Sequence, residues 1–186
     1  MKTTSIRTFL STVVFAMLAV VGYAAEPTTV DGDGHFSANF PMAVRRANRI
    51  VDKDFGQVTT CQVSWKGFRA IQVYTAHGSV AFMVVYSDYP TDYVSQTGAS
   101  TICKNAAKEL ADGAKGTIRS TTEHKLGTIA GIEVVIDGPS GGFVEVARFY
   151  AVGERLFQVT YVGPPESETG RDALAFLNSF RILPSN

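Results

Sequence analysis

The sequence predicts an α+β fold in which a mostly antiparallel sheet is flanked by helices. Three observations predict it. Runs with period-two alternation recur between Gln57 and Val162, most of them separated by short turn signals. Two segments switch to three-and-four spacing, one after Asp92 and one after Thr169. Strands joined by tight turns must be antiparallel, because a parallel pair needs a crossover of about a dozen residues or more.

The chain opens with Lys2 and Arg7, an apolar run from Phe9 to Val21, and then Gly22-Tyr23-Ala24-Ala25. A positive start, an apolar centre and a small-residue end form a secretory signal peptide, assigned to residues 1–24. Cleavage after Ala24 places Gly22 and Ala24 at the two positions that the peptidase reads. The apolar run is short for a bilayer span, and no later segment is apolar for long enough. The product is therefore expected in the periplasm or outside the cell, with no membrane span after cleavage. Residues 25–34 read as a flexible leader, and residues 35–186 as a single α+β domain.

Within that domain Phe36 to Phe40 alternates as a short strand stopped by Pro41. Residues 42–54 fit either a helical turn or an irregular connection. Cys61, Val63 and Trp65 share one face of a strand, Gly67 is expected to break it, and Phe68 to Thr75 forms the next. Val80 to Tyr86 is apolar on both faces, as expected of a central strand covered twice. A helix follows through about residue 112, with Ala99, Ile102, Cys103, Ala106, Ala107 and Leu110 on its inner stripe. Gly113 and Gly116 are expected to end it. Thr117–Glu123, Ile129–Ile136, Phe143–Val152 and Leu156–Val162 are the remaining strands. A capping-box pattern, Thr169 with Asp172, starts a last helix that directs Ala173, Leu174, Leu177 and Phe180 inward.

Charge excludes some functions. The chain has 17 basic and 17 acidic residues, and loss of the signal leaves the mature part slightly acidic. Such a domain has no general attraction for nucleic acid or for anionic lipid, so no nucleic-acid partner is expected. Arg45, Arg46 and Arg49 form the one local basic cluster, a candidate grip for an anionic ligand or partner group. Asp52 and Asp54 dilute it, and a solvated face explains it as well.

Two cysteines, Cys61 and Cys103, lie in the exported part. An oxidising compartment favours a disulfide between them, contributing about 3–4 kcal/mol through a loop of roughly 40 residues. Two buried thiols are the alternative. Glu133 and Arg148 fall on neighbouring strands, diagonal neighbours if Asp137 pairs with Gly142. A structural ion pair outranks a ligand-gripping role there, because an unpaired buried charge is costly.

Catalytic and metal patterns fail on their own requirements. Gly138-Pro139-Ser140-Gly141-Gly142 matches a nucleophile elbow in spelling, but a strand follows it where a helix is needed. Asp31-Gly32-Asp33-Gly34-His35 lacks the later oxygen ligands of a calcium loop. His35, His77 and His124 share no metal-ligand spacing with one another, with a cysteine or with a carboxylate, and no cofactor motif is present. No catalytic residue, metal or cofactor is assigned.

Several segments together resemble the PsbP-like superfamily. They are Phe36-Ser37-Ala38-Asn39-Phe40-Pro41, Phe82 through Pro90 before a helix, Gly131-Ile132-Glu133, Arg148-Phe149-Tyr150, Leu156 through Thr160, and Phe176 through Phe180. The likeness runs through nearly the whole mature chain. It implies an α/β/α sandwich and non-catalytic binding or accessory work, and it carries over no catalytic residue. Cys61 and Cys103 are not part of that pattern.

The functional expectation is an exported accessory protein of the cell envelope that binds another envelope protein or a small ligand. One alternative is a periplasmic hydrolase whose site is assembled only in three dimensions, recognisable by His77 or His124 meeting a carboxylate or hydroxyl in a cleft. Another is a structural or stress-protective envelope protein.

Overall fold

The computed structural model describes the backbone of residues 28–32, 34–41, 44–58 and 61–184, and side chains for 34–41, 44–45 and 70–184. The signal peptide expected at residues 1–24 lies outside the described residues. So do the side chains of Arg46, Arg49 and Cys61, and Asp33 of the calcium-like motif.

Seven strands build the main sheet: β3 (Arg45–Val58), β4 (Cys61–His77), β5 (Val80–Asp88), β6 (Thr117–Leu126), β7 (Ile129–Asp137), β8 (Val144–Val152) and β9 (Arg155–Gly163). Their order is β3-β4-β5-β9-β8-β7-β6, and every neighbouring pair is antiparallel. After β5 the chain crosses to the far edge through helices α1 (Thr91–Thr97) and α2 (Ala99–Ala114). It then returns strand by strand until β9 closes against β5. A smaller sheet, ordered β1-β2-β10, combines β1 (Thr28–Gly32), β2 (Phe36–Phe40) and β10 (Arg181–Ile182). It lies with α3 (Arg171–Ser179) over one face of the main sheet, while α2 covers the other over β7 and β8.

Burial follows from this layering. Phe82, Val84 and Tyr86 of β5 face an aromatic core shared with Phe36 and Phe40 of β2 and Phe176 of α3. Val85 of the same strand packs toward α2 instead. β5 is thus covered twice, as its apolar run predicts. Every residue of β8 from Val144 to Tyr150 is buried, and its ionisable members Glu145 and Arg148 are held inside the layers with the rest.

Several expectations are corrected. Thr28–Gly32, expected as part of a loose leader, pairs with β2, because an open β2 edge satisfies the backbone of even a polar segment. Residues 45–58 form β3 rather than a helical turn. Gly67 does not break β4, whose pairing to β3 continues from Phe68 to Trp65 across a bulge. The helix after Asp92 is two helices, since Gly98 adopts φ +78° and ends the first. Ala99 is exposed, and α2 runs through Gly113 to an αL cap at Lys115. Gly170, not Thr169, is the N-cap of α3, and no side chain caps it. Leu174 faces solvent, and Phe176 takes the inward place.

Candidate functional site

The β6–β7 hairpin turns on Gly127, whose φ of +62° suits the first central position of a two-residue turn. That turn carries Lys125 and Leu126 on one side and Ile129 on the other. Facing it, α3 ends at Ser179, and Phe180 is buried against Tyr150 of β8 with the two rings stacked at 5.9 Å. The stack holds the end of α3 and the start of β10 beside the hairpin. A cleft of about 570 Å³ lies between them, reaching Arg148 of β8 at its base.

Arg148 is the fixed point of the cleft. Its Nε donates to Glu133 Oε2 at 2.6 Å, and its Nη1 donates to the Leu177 carbonyl at 2.8 Å and to Asn178 Oδ1 at 2.9 Å. The side chain is only 8% exposed. One guanidinium thus joins β7, β8 and the last turn of α3, where unpaired helix carbonyls welcome a cation. The ion pair expected from the sequence is present. Its geometry is closer than the diagonal expectation, because Asp137 pairs with Val144 and places Glu133 directly opposite Arg148. The short 3₁₀ turn Pro139–Gly141 absorbs the extra residues and leads into β8, which leaves Ser140 without the helix that an elbow requires.

His124 and Tyr150 extend the network. The Tyr150 hydroxyl lies 2.8 Å from His124 Nδ1. Burial, then the Arg148 charge, lowers the His124 pKa below its ordinary value, so the imidazole is neutral near pH 7. Burial pushes the Tyr150 hydroxyl up to about 12. A neutral imidazole and a protonated phenol thus share one hydrogen bond, which fixes the His124 ring against β8.

The cleft's charge is one-sided. Lys125, Arg148 and Arg181 stand on its walls, and no carboxylate does among the described residues. Arg181 donates through Nη1 to the carbonyls of Asn178 and Phe180, which anchors its guanidinium at the C-terminus of α3. Neither Lys125 nor Arg181 forms an ion pair among the described residues. Leu126, Ile129, Leu177 and Ile182 supply apolar surface between the charges. No local sequence pattern could announce this site, since its residues come from three separate segments. The signals that were visible are the Glu133–Arg148 pair and His124, each singled out separately in the sequence.

The other candidates lie elsewhere. Arg45, Arg46 and Arg49 occupy the edge strand β3, opposite Tyr74, Val73 and Ala70. Arg45 is exposed. Cys103 is a free, buried thiol, so the expected bond to Cys61 is absent. The reason is topological. Cys103 lies on the buried face of α2 in the cluster that contains Ala70, whereas Cys61 begins β4 nine positions from Ala70, about 30 Å along a strand. Burial raises the Cys103 thiol to about 11. His35 and His77 are exposed, and no group of three metal-binding side chains occurs among the described residues. No helix among the described residues is long and apolar enough to cross a membrane.

No protein-family model matches the chain, and no curated protein matches it. Among solved structures, the chain is similar to cyanobacterial PsbP from Synechocystis sp. PCC 6803, with a TM-score of 0.56 and 12% identity. The match covers 90% of this chain and 98% of that one. The chain therefore has a PsbP-like α+β sandwich fold, as the resemblance in its sequence implied.

Proposed function

We propose that this chain is an exported, non-catalytic accessory protein of the cell envelope, and that the cleft beside Arg148 is where it binds. One observation carries the reading. The two groups lining the cleft that are able to do chemistry are spent on neighbours behind it: Arg148 on Glu133 and α3, and His124 on the buried Tyr150 hydroxyl. A binding surface remains, made of an apolar lining and two cations, Lys125 and Arg181, that form no ion pair among the described residues. Its volume falls within the range of about 300–1,000 Å³ common for small-molecule sites. The signal peptide at residues 1–24 supports export, and the PsbP-like fold agrees with accessory work.

The hydrolase reading has one observation in its favour, since His124, which lines the cleft, does meet a hydroxyl. That hydroxyl belongs to Tyr150, which is 1% exposed and does not line the cleft, so a substrate in the cleft would not reach it.

The test is expression of the full chain in a host with a periplasm. The chain recovered from the periplasmic fraction is expected to begin at Ala25 and to show no turnover of ester or phosphoester substrates. Retention of residues 1–24 in the cytoplasm would overturn the reading. So would a hydrolysis rate that His124→Ala abolishes.

A further inference from the structure

We propose that the cleft takes a small amphiphilic anion, a free molecule with a short apolar body and a single carboxylate or phosphate head. The inference deepens the binding reading above and rests on it.

Three features of the cleft define this ligand. The first is charge: Lys125, Arg148 and Arg181 line the cavity, and the Glu133 carboxylate is engaged by Arg148. An anion entering there meets cations on more than one wall. A cation meets repulsion that a single shielded carboxylate cannot offset.

The second is preorganisation. Both arginines are already fixed through Nη1, Arg148 to Leu177 and Asn178, and Arg181 to the carbonyls of Asn178 and Phe180. Little rotamer freedom is left to lose when an anionic group arrives. Guanidinium groups held in this way favour planar or tetrahedral oxyanions over halide-like point charges.

The third is the lining. Leu126, Ile129 and Ile182 are only partly buried and pack on the aromatic core from outside, so each keeps apolar surface facing the cavity. A bare inorganic anion would leave that surface wet. A short alkyl or aryl body would cover it.

Calorimetry and amide-shift mapping on the mature protein, purified after export, test the proposal with four defined probes. Octanoate, kept below its micelle concentration, is expected to bind and to shift the amides of Lys125–Ile129 and Arg181–Ile182. Octanol is expected to bind about tenfold more weakly or worse, acetate not to register, and octyltrimethylammonium to leave those amides unmoved. The double variant Lys125→Gln/Arg181→Gln should weaken octanoate about tenfold while still unfolding in one cooperative urea transition, and Lys125→Gln alone should weaken it while unfolding at the parent's urea concentration.

Equal binding of octanol and octanoate would overturn the proposal, as would octanoate binding indifferent to the double variant. Sedimentation with phosphatidylglycerol vesicles, with octanoate leaving the cleft amides unmoved, would assign the cations to a membrane surface and also overturn it. These failures differ from failure of the broader reading. A chain that is never exported but still binds octanoate refutes the envelope role alone. An exported chain whose cleft ignores every probe refutes the ligand alone.

Discussion

Glu133 and Arg148 stand directly opposite each other on β7 and β8, joined at 2.6 Å, and the same guanidinium closes onto the Leu177 carbonyl at the end of α3. The pair thereby ties the sheet to its covering helix. With the arginine 8% exposed and the glutamate 26% exposed, the bond sits between core and solvent, where removing one partner strands the other.

Replacing Arg148 by Met should cost about 3 kcal/mol in urea unfolding, because Glu133, Leu177 and Asn178 lose a shared donor. A double-mutant cycle with Glu133→Gln should return a coupling of about 1–3 kcal/mol. A coupling within error of zero would show that helix docking does not depend on the pair.

Stability should fall as the solution is acidified below about pH 6.5, partly through His124. Its folded pKa is lowered by burial and by Arg148, so the unfolded chain takes up the proton first. The contribution is therefore fully present above the ordinary histidine value and is lost as pH drops through the folded one. His124→Gln should flatten the thermal midpoint between pH 7.5 and 5 relative to the parent. An unchanged slope in the variant would assign the acid sensitivity to other groups.

Glu145 should act in the opposite direction. Burial raises its carboxyl from 4.5 to about 8, so the folded state keeps a proton that the unfolded chain releases. Stability from this group is present below pH 4.5 and declines as pH rises to about 8. Glu145→Gln should stabilise the protein at pH 8, by on the order of 2 kcal/mol, and do little at pH 4. Equal effects at both values would contradict a buried, protonated carboxyl.

Gly131 has no room for a side chain. An added Cβ would lie 2.3 Å from the Phe149 carbonyl oxygen and 2.5 Å from the Tyr150 ring. Gly131→Ala should cost about 1–3 kcal/mol, because the first obstacle is backbone and cannot swing aside. Gly142→Ala, whose Cβ would meet nothing closer than 3.4 Å, should change stability by less than about 0.5 kcal/mol. Comparable losses at both sites would show that the β7–β8 contact is looser than described.

Cys103 should resist Ellman's reagent in the native protein and react promptly in urea. It lies on the buried face of α2, and its thiol is pushed up to about 11, so thiolate is scarce at neutral pH. Rapid native labelling would contradict this packing. An intact mass two hydrogens light, with a thermal midpoint lowered by reductant, would restore the disulfide.

Much of the fold was legible because it rests on periodicity. Val80 to Tyr86 announced a doubly covered strand, and Ile102 through Leu110 announced the helix above β7 and β8. Boundaries were less legible where a single residue's backbone angle decides them. Gly98 cut one helix into two, while Gly67 and Gly113, which look like breaks, did not break anything. Tertiary pairing overrode local signals again at Thr28–Gly32, where an open strand edge recruited a polar segment.

By itself the sequence determined the layered α+β class, the central strand, and the need for Arg148 to find a partner, since hydrophobic spacing and the cost of a buried charge act locally along the chain. Tertiary structure alone decided that Lys125, Arg148 and Arg181 share one cleft, that His124 meets Tyr150, and that Cys103 lies far from Cys61. Each of those facts depends on strand register and helix docking, which bring together residues dozens of positions apart and leave no periodic trace in the order of the amino acids.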